Sequence, residues 1–322
     1  MAGMPYQRVA IIGAGLIGTS IAHALRVRSP DTLIQFADSD PQTLAVLDEL
    51  FPDSLSSIDA AVAVRDADCV LLCVPVGAMR AVSSQISDHL KPGATVTDVG
   101  SVKRSVIADM ATVLPPDVNL IAGHPVAGSE RSGPRAGFAD LFVDRYVILT
   151  PESGADAHAV EALHKFWGEL GAMVEVMDAD HHDLVLALTS HLPHLIAYTI
   201  VGTASDFENV AEGDVMKFSA GGFRDFTRIA ASDPVMWRDI FLNNKDAVLE
   251  ALGRFSEDLA ELQKAIRWGR GDQLEDWFTR TRTIRKGIID LGQDTAQADF
   301  GRQAAGARTD QGGPVSKPYS AD

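Results

Sequence analysis

The 322-residue chain has room for one large or two medium domains, and its 46% apolar and 22% charged residues are ordinary for a globular enzyme. Acidic side chains outnumber basic ones 44 to 28, a formal net charge of −16, which argues against a nucleic-acid partner. An anionic small molecule needs a local cluster of Arg or His to hold it against that field.

The first predicted strand, Arg8–Ile12, runs into GAGLIGTSIAHAL and a predicted helix over 15–27. The regular glycines and the polar Thr19, Ser20 and His23 count against a signal-peptide core or membrane span there, and no other uninterrupted apolar segment approaches the ~20 residues a bilayer needs. The chain is expected to be soluble, with no membrane partner. Gly13 permits a tight turn, Gly15 close approach of a pyrophosphate, and Gly18 close helix–strand packing, with Leu16 and Ile17 between them. The phosphates then lie at a helix N-terminus, whose free N–H groups and dipole favour anions. The second strand, Leu33–Ala37, ends at Asp38, twenty residues past Gly18. A carboxylate there accepts the ribose hydroxyls of NAD and repels the extra phosphate of NADP, so NAD is the expected cofactor.

A helix over 41–50 leads to a strand over Cys69–Val74 that holds both cysteines. In an extended strand their Cα atoms lie roughly 13 Å apart, too far for a disulfide. Two reduced, buried thiols fit a cytoplasmic protein. A helix over 77–90 follows, then a strand over Thr95–Val99 that ends in DVGSVK and places Ser101 at the carboxyl edge, before a helix over 102–113. The strand Leu120–Ala122 brings His124 of GHPVAGSERSG to the same edge, where ligands bind in open α/β sheets. Ser101 also reads as a helix N-cap and His124 as a structural histidine. Strand Tyr146–Leu149, a helix over 156–170 and strand Met173–Met177 complete a doubly wound, mainly parallel domain over residues 1–177.

From Asp178 strand signals stop. Long helical patterns, including 179–206 and 233–268, predict an all-α domain over 178–293, and the Ala-, Gly-, Gln- and Asp-rich tail 294–322 is expected to be disordered. SHLPH places His191 and His194 on one helix face, with Pro193 kinking or starting the helix. These two with His181, His182 and Asp183 match no strong zinc spacing, so no metal is expected. In GGFRDFTRIAASDP, Arg228 either clamps a carboxylate with its planar fork or pairs with Asp225.

Together, GAGLIG, DVGSVK, GHPVAGSE, SHLPH and GGFRDFTRIAASDPVMWRDI resemble the prephenate/arogenate (cyclohexadienyl) dehydrogenases, over about Arg8 to Leu291. The resemblance implies a Rossmann domain, then a helical domain that forms a homodimer, with the substrate between the domains. It implies oxidative decarboxylation of prephenate or arogenate with NAD. By resemblance His124 is the base or hydrogen-bond acceptor for the substrate hydroxyl, and Ser101 supports it on the nicotinamide side. His194 and Arg228 are substrate-binding, with Glu130 and Asp225 around the pocket; an acidic Glu130 near the side chain would favour the ammonium of arogenate. No mutase domain is expected before Arg8 and no regulatory domain after Leu291, so any tyrosine inhibition would have to act at the active site. The alternative is another two-domain dehydrogenase, such as one acting on a β-hydroxyacid with a catalytic lysine. Lys217 and Lys245 are available for that role, but neither lies in a recognisable catalytic context. A non-catalytic NAD-binding sensor ranks below both.

Overall fold

In the computed structural model, β1 (Arg8–Ile12), β2 (Leu33–Ala37), β3 (Leu55–Ser57), β4 (Cys69–Leu72), β5 (Thr95–Asp98) and β6 (Asn119–Leu120) form one parallel sheet in the order β3-β2-β1-β4-β5-β6. That order, with helical crossovers, is the Rossmann arrangement, and it puts the switch point between β1 and β4. The structure describes residues 3–128, 131–208 and 220–290. Glu130, Lys217 and the tail over 294–322 lie outside the described residues.

Both faces of the sheet are buried, and side-chain alternation sorts them. Val9, Ile11, Cys69 and Leu71 pack into one core with Leu25, Phe36, Phe166 and Trp167. Ala10, Ile12, Val70 and Leu72 pack into the other with Met79, Val96 and Met110. Each fully buried Leu, Ile or Phe contributes roughly 1.5–3 kcal/mol. Between the strands lie α1 (Leu16–Arg28), α2 (Pro41–Leu50), α3 (Ala60–Ala63), α4 (Met79–Ile86) and α5 (Arg104–Ala111).

The sequence reading placed all these strands in one sheet; the structure has two. After Leu120 the chain leaves the parallel sheet, and β7 (Ala122–Pro125) pairs antiparallel with β8 (Tyr146–Thr150). β8 in turn pairs parallel with β9 (Met173–Val176), after α6 (Ala157–Glu169). The strand at Cys69 stops at Leu72, so Cys73 lies beyond it and is half-buried, and both cysteines are free thiols.

From Ala179 the chain is helical: α7 (Ala179–Leu186), a π-turn (Ala187–His191), α8 (Leu192–Glu208), α9 (Gly221–Thr227), α10 (Pro234–Asn243) and α11 (Lys245–Arg267). The π-turn has a cause in the sequence. Pro193 has no N–H to continue the helical ladder, so the preceding turn widens. The continuous run Ala179–Phe207 is long and apolar enough to cross a membrane by length and composition. Yet His182, Asp183 and His191 on it are buried in polar contacts within the protein. The predicted helix over 233–268 is divided at Asn244, whose buried side chain bonds elsewhere. Residues through Lys264 form one compact unit; a second begins at Ala265 and carries α12 (Gly271–Asp290).

Candidate active site

The glycine loop after β1 is shaped for a dinucleotide. Gly13 sits at φ +93°, and a Cβ there would come within 2.5 Å of the Cys73 carbonyl. A Cβ on Gly18 would lie 2.3 Å from the Gly13 carbonyl, so both positions require glycine. A Cβ on Gly15 meets nothing within 4 Å, which leaves a cradle open beside the α1 N-terminus, where no side chain caps the helix. These features fit NAD, whose pyrophosphate would meet the free N–H groups. Leu16 and Ile17 open α1, and both pack against the core. Asp38, at the end of β2, accepts the Ala14 N–H at 2.9 Å and the Asp40 N–H at 3.0 Å. It therefore holds the loop as well as standing where a ribose would.

His124 is on β7, 8% exposed, and its Nδ1 lies 2.9 Å from His182 Nε2. His182 Nδ1 lies 2.8 Å from Asp183 Oδ1. The protons along this relay are fixed by chemistry. A carboxylate only accepts, so His182 carries its proton on Nδ1 and its Nε2 is bare. The bare Nε2 accepts from His124 Nδ1–H, which leaves His124 Nε2 as a lone pair. Asp183 is anchored in turn, since Oδ1 accepts the Lys103 N–H at 2.8 Å and Oδ2 the Arg104 N–H at 2.9 Å. Burial opposes ionisation of Asp183, but the His182 bond and the two backbone bonds outweigh it and hold the carboxyl below its ordinary range. Burial, then His182, Lys103 and His191, push His124 well below the ordinary histidine value of 6.5. His124 is thus a neutral imidazole with its accepting nitrogen defined.

The remaining histidines flank Trp237. His191 is fully buried, and Asn244 Nδ2 bridges its Nδ1 (3.1 Å) and the Asp183 carbonyl (2.8 Å). Burial first, and the neighbouring histidines after it, push His191 down to about 4 against the pull of Asp183. His194 donates from Nδ1 to the Ser190 carbonyl at 2.8 Å and stacks on Trp237 with centroids 3.7 Å apart. Its Nε2 is therefore an acceptor as well. Burial lowers its basicity, and so does the nearby Arg228 charge.

The structure thus links His124, His191 and His194 through one chain of contacts, with Arg228 close enough to act on His194. Ser101 lies three residues past the end of β5, half-buried, after Gly100, whose N–H donates to Asp98 at 2.7 Å. Asp225 and Arg228 both have exposed side chains, Asp225 on α9 and Arg228 in the turn after it. Lys245 is exposed at the start of α11. Among the described residues no three His, Cys, Asp or Glu groups are arranged to hold a metal ion. The sequence reading missed His182 and Asp183 as partners of His124. The signal present was the DHHD run at the start of a helix, which it weighed only for metal binding. It also missed Asp98, Lys103 and Asn244, whose burial no local pattern announces.

Comparison with known proteins gives consistent matches. The nucleotide-binding domain of prephenate dehydrogenase matches residues 21–176, and the dimerization domain of prephenate dehydrogenase matches residues 178–280. The chain is 43% identical to the cyclohexadienyl dehydrogenase of Zymomonas mobilis, over 87% of this chain and 95% of that protein. It is 35% identical to the prephenate dehydrogenase of Bacillus subtilis, over 86% of this chain and 74% of that one. A crystal structure of prephenate dehydrogenase from Aquifex aeolicus with hydroxyphenyl propionate and NAD+ superposes with a TM-score of 0.82 at 34% identity, covering 88% of this chain and 98% of that one.

Proposed function

The chain belongs to the prephenate dehydrogenase family, and from that premise we propose that His124, poised by His182 and Asp183, is the base of its reaction. The enzyme is an NAD-dependent oxidoreductase that oxidatively decarboxylates prephenate, arogenate or both in tyrosine biosynthesis. The observation that carries the proposal is the hydrogen-bonded series His124–His182–Asp183, from which a bare Nε2 on His124 follows.

NAD, when bound on Gly13, Gly15, Gly18 and Asp38, supplies the hydride acceptor. With it in place, C4 would give up its hydrogen as hydride while His124 Nε2 takes the proton of the C4 hydroxyl, leaving a C4 carbonyl. Cleavage of the bond to the ring carboxylate releases carbon dioxide and passes its electron pair through the ring to the C4 oxygen; the ring becomes aromatic, and the phenolate takes its proton back from His124. Aromatisation provides most of the driving force, so the residues chiefly orient substrate and receive one proton. Lys103, Asp98 and Asp183 carry one positive and two negative charges around three neutral histidines; a proton on His124 brings that cluster to neutrality. Ser101 supports the base on the nicotinamide side, Arg228 holds a substrate carboxylate, and His194 offers a hydrogen bond backed by the Trp237 ring. Asp225 is a further pocket residue in this reading.

The helical part pairs two copies in this reading, in line with the dimerization domain it matches and with exposed apolar side chains such as Leu242, Leu249 and Leu259. Two free thiols fit a cytoplasmic location. The test follows NADH or NADPH by absorbance, with each cofactor paired with prephenate and arogenate. Turnover with NAD and at least one substrate is expected; folded protein that binds NAD and turns over neither would move the assignment to another dehydrogenase. In the same assay Asp38→Asn should narrow the preference for NAD over NADP, because the repelling charge is gone. An unchanged preference would take Asp38 out of that role.

A further inference from the structure

β7 is bonded to β8 on one side only. The backbone of Gly123, directly before His124, finds its remaining partners in a buried ion pair. Asp98 Oδ1 accepts the Gly123 N–H at 3.2 Å, and Lys103 Nζ donates to the Gly123 carbonyl at 2.7 Å. Lys103 and Asp98 are bonded to each other, and both are fully buried. Asp98 Oδ2 also accepts the N–H of Gly100, directly before Ser101. One pair of charges thus grips the residue before each candidate catalytic group, at the seam where the chain passes from one sheet to the other. A buried ion pair is poor value as cement alone, since apolar side chains of similar volume usually stabilise as well or better.

We propose that the Lys103–Asp98 pair is a clamp that sets the position of His124 relative to Ser101 and the cofactor edge, with Lys103 a positioning residue acting through the Gly123 backbone. This rests on His124 being the base. Among the described residues, the charged and titratable groups around His124 are His182 and Asp183 from α7, His191 from the π-turn, and Asp98 and Lys103 from β5 and the loop after it; β8 opposes it with Ile148. Lys103 is a positive charge close to His124, so its removal makes His124 easier to protonate.

The test is Lys103→Met, which keeps the length of the side chain and removes its charge and donors. Alongside it runs the double variant Asp98→Asn with Lys103→Met, which leaves no unpaired buried charge should the single variant fold poorly. With prephenate or arogenate and saturating NAD, kcat should fall on the order of 10²-fold, the loss typical of a misplaced reacting group. KM and NAD affinity should change little. The acid limb of the kcat/KM profile of the single variant should move to higher pH. Either variant turning over as fast as active wild type, even with a lower Tm, would overturn the clamp and leave a purely structural pair. Wild type that turns over neither substrate would instead overturn the assignment of the base, and the clamp with it.

Discussion

Replacing His124 with Asn should lower kcat by about 10²–10⁴-fold while the protein still folds and binds NAD. The Asn side chain can donate to His182 Nε2 from its amide, so the relay keeps its partner, but no nitrogen remains to take a proton. The loss corresponds to roughly 3–5 kcal/mol of transition-state stabilisation. The pH profile gives a second reading. The base works only when neutral, and burial first, then the neighbouring His182, the Lys103 charge and His191, hold it well below 6.5. Activity should therefore be level through neutrality and fall only as the pH drops well below that value. In His124→Asn the residual rate should have no such limb. Steady-state kinetics and an NAD titration on the same preparation check both points, and turnover retained at the wild-type rate would remove His124 from the role.

Much of this was legible in the sequence because strong local constraints leave local marks. Gly13 and Gly18 are dictated by space, because a Cβ at either would come within 3 Å of a backbone carbonyl, and Asp38 by its place at the end of a short buried strand. What was not legible depends on contacts distant along the chain. β3 is three residues of LSS on the sheet edge, with Leu55 largely exposed, and offers neither an apolar run nor an alternating one. The break between the two sheets falls at Ile121, between Leu120 and Ala122, where no turn residue marks it. Lys103 reads as an ordinary lysine at the start of a helix, and only the fold reveals that it is buried against Asp98 and Gly123. Asn244 divides a helix that the periodicity carries straight through. Its reason for being there is a bridge to residues 53 and 61 positions away.

Asp183→Asn should be nearly as damaging as loss of the base itself, although Asp183 stands two side chains away from it. The carboxylate accepts three hydrogen bonds, from His182 Nδ1, the Lys103 N–H and the Arg104 N–H. An amide cannot accept all three. If its NH₂ faces Arg104, a part-buried donor at the start of α5 loses its acceptor, at a cost of up to about 1 kcal/mol. If its NH₂ faces His182, the relay inverts. His182 then carries its proton on Nε2, donates to His124 Nδ1, and forces the His124 proton onto the nitrogen that should be bare. Wrong-tautomer substitutions of this type in serine proteases cost about 10⁴ in kcat, and a fall on the order of 10²–10⁴-fold is expected here. The pH dependence separates this failure from loss of the Lys103–Asp98 clamp. The negative charge of Asp183 favours protonation of His182, so its removal makes the pair harder to protonate and carries the acid limb to lower pH. Raising the pH should therefore recover nothing in Asp183→Asn, whereas in Lys103→Met it recovers the part lost to protonation of the base. Acid limbs moving in the same direction in the two variants would mean that the Asp183 charge does not reach the base through His182, and a kcat near wild type would mean that the relay does not set the tautomer of His124.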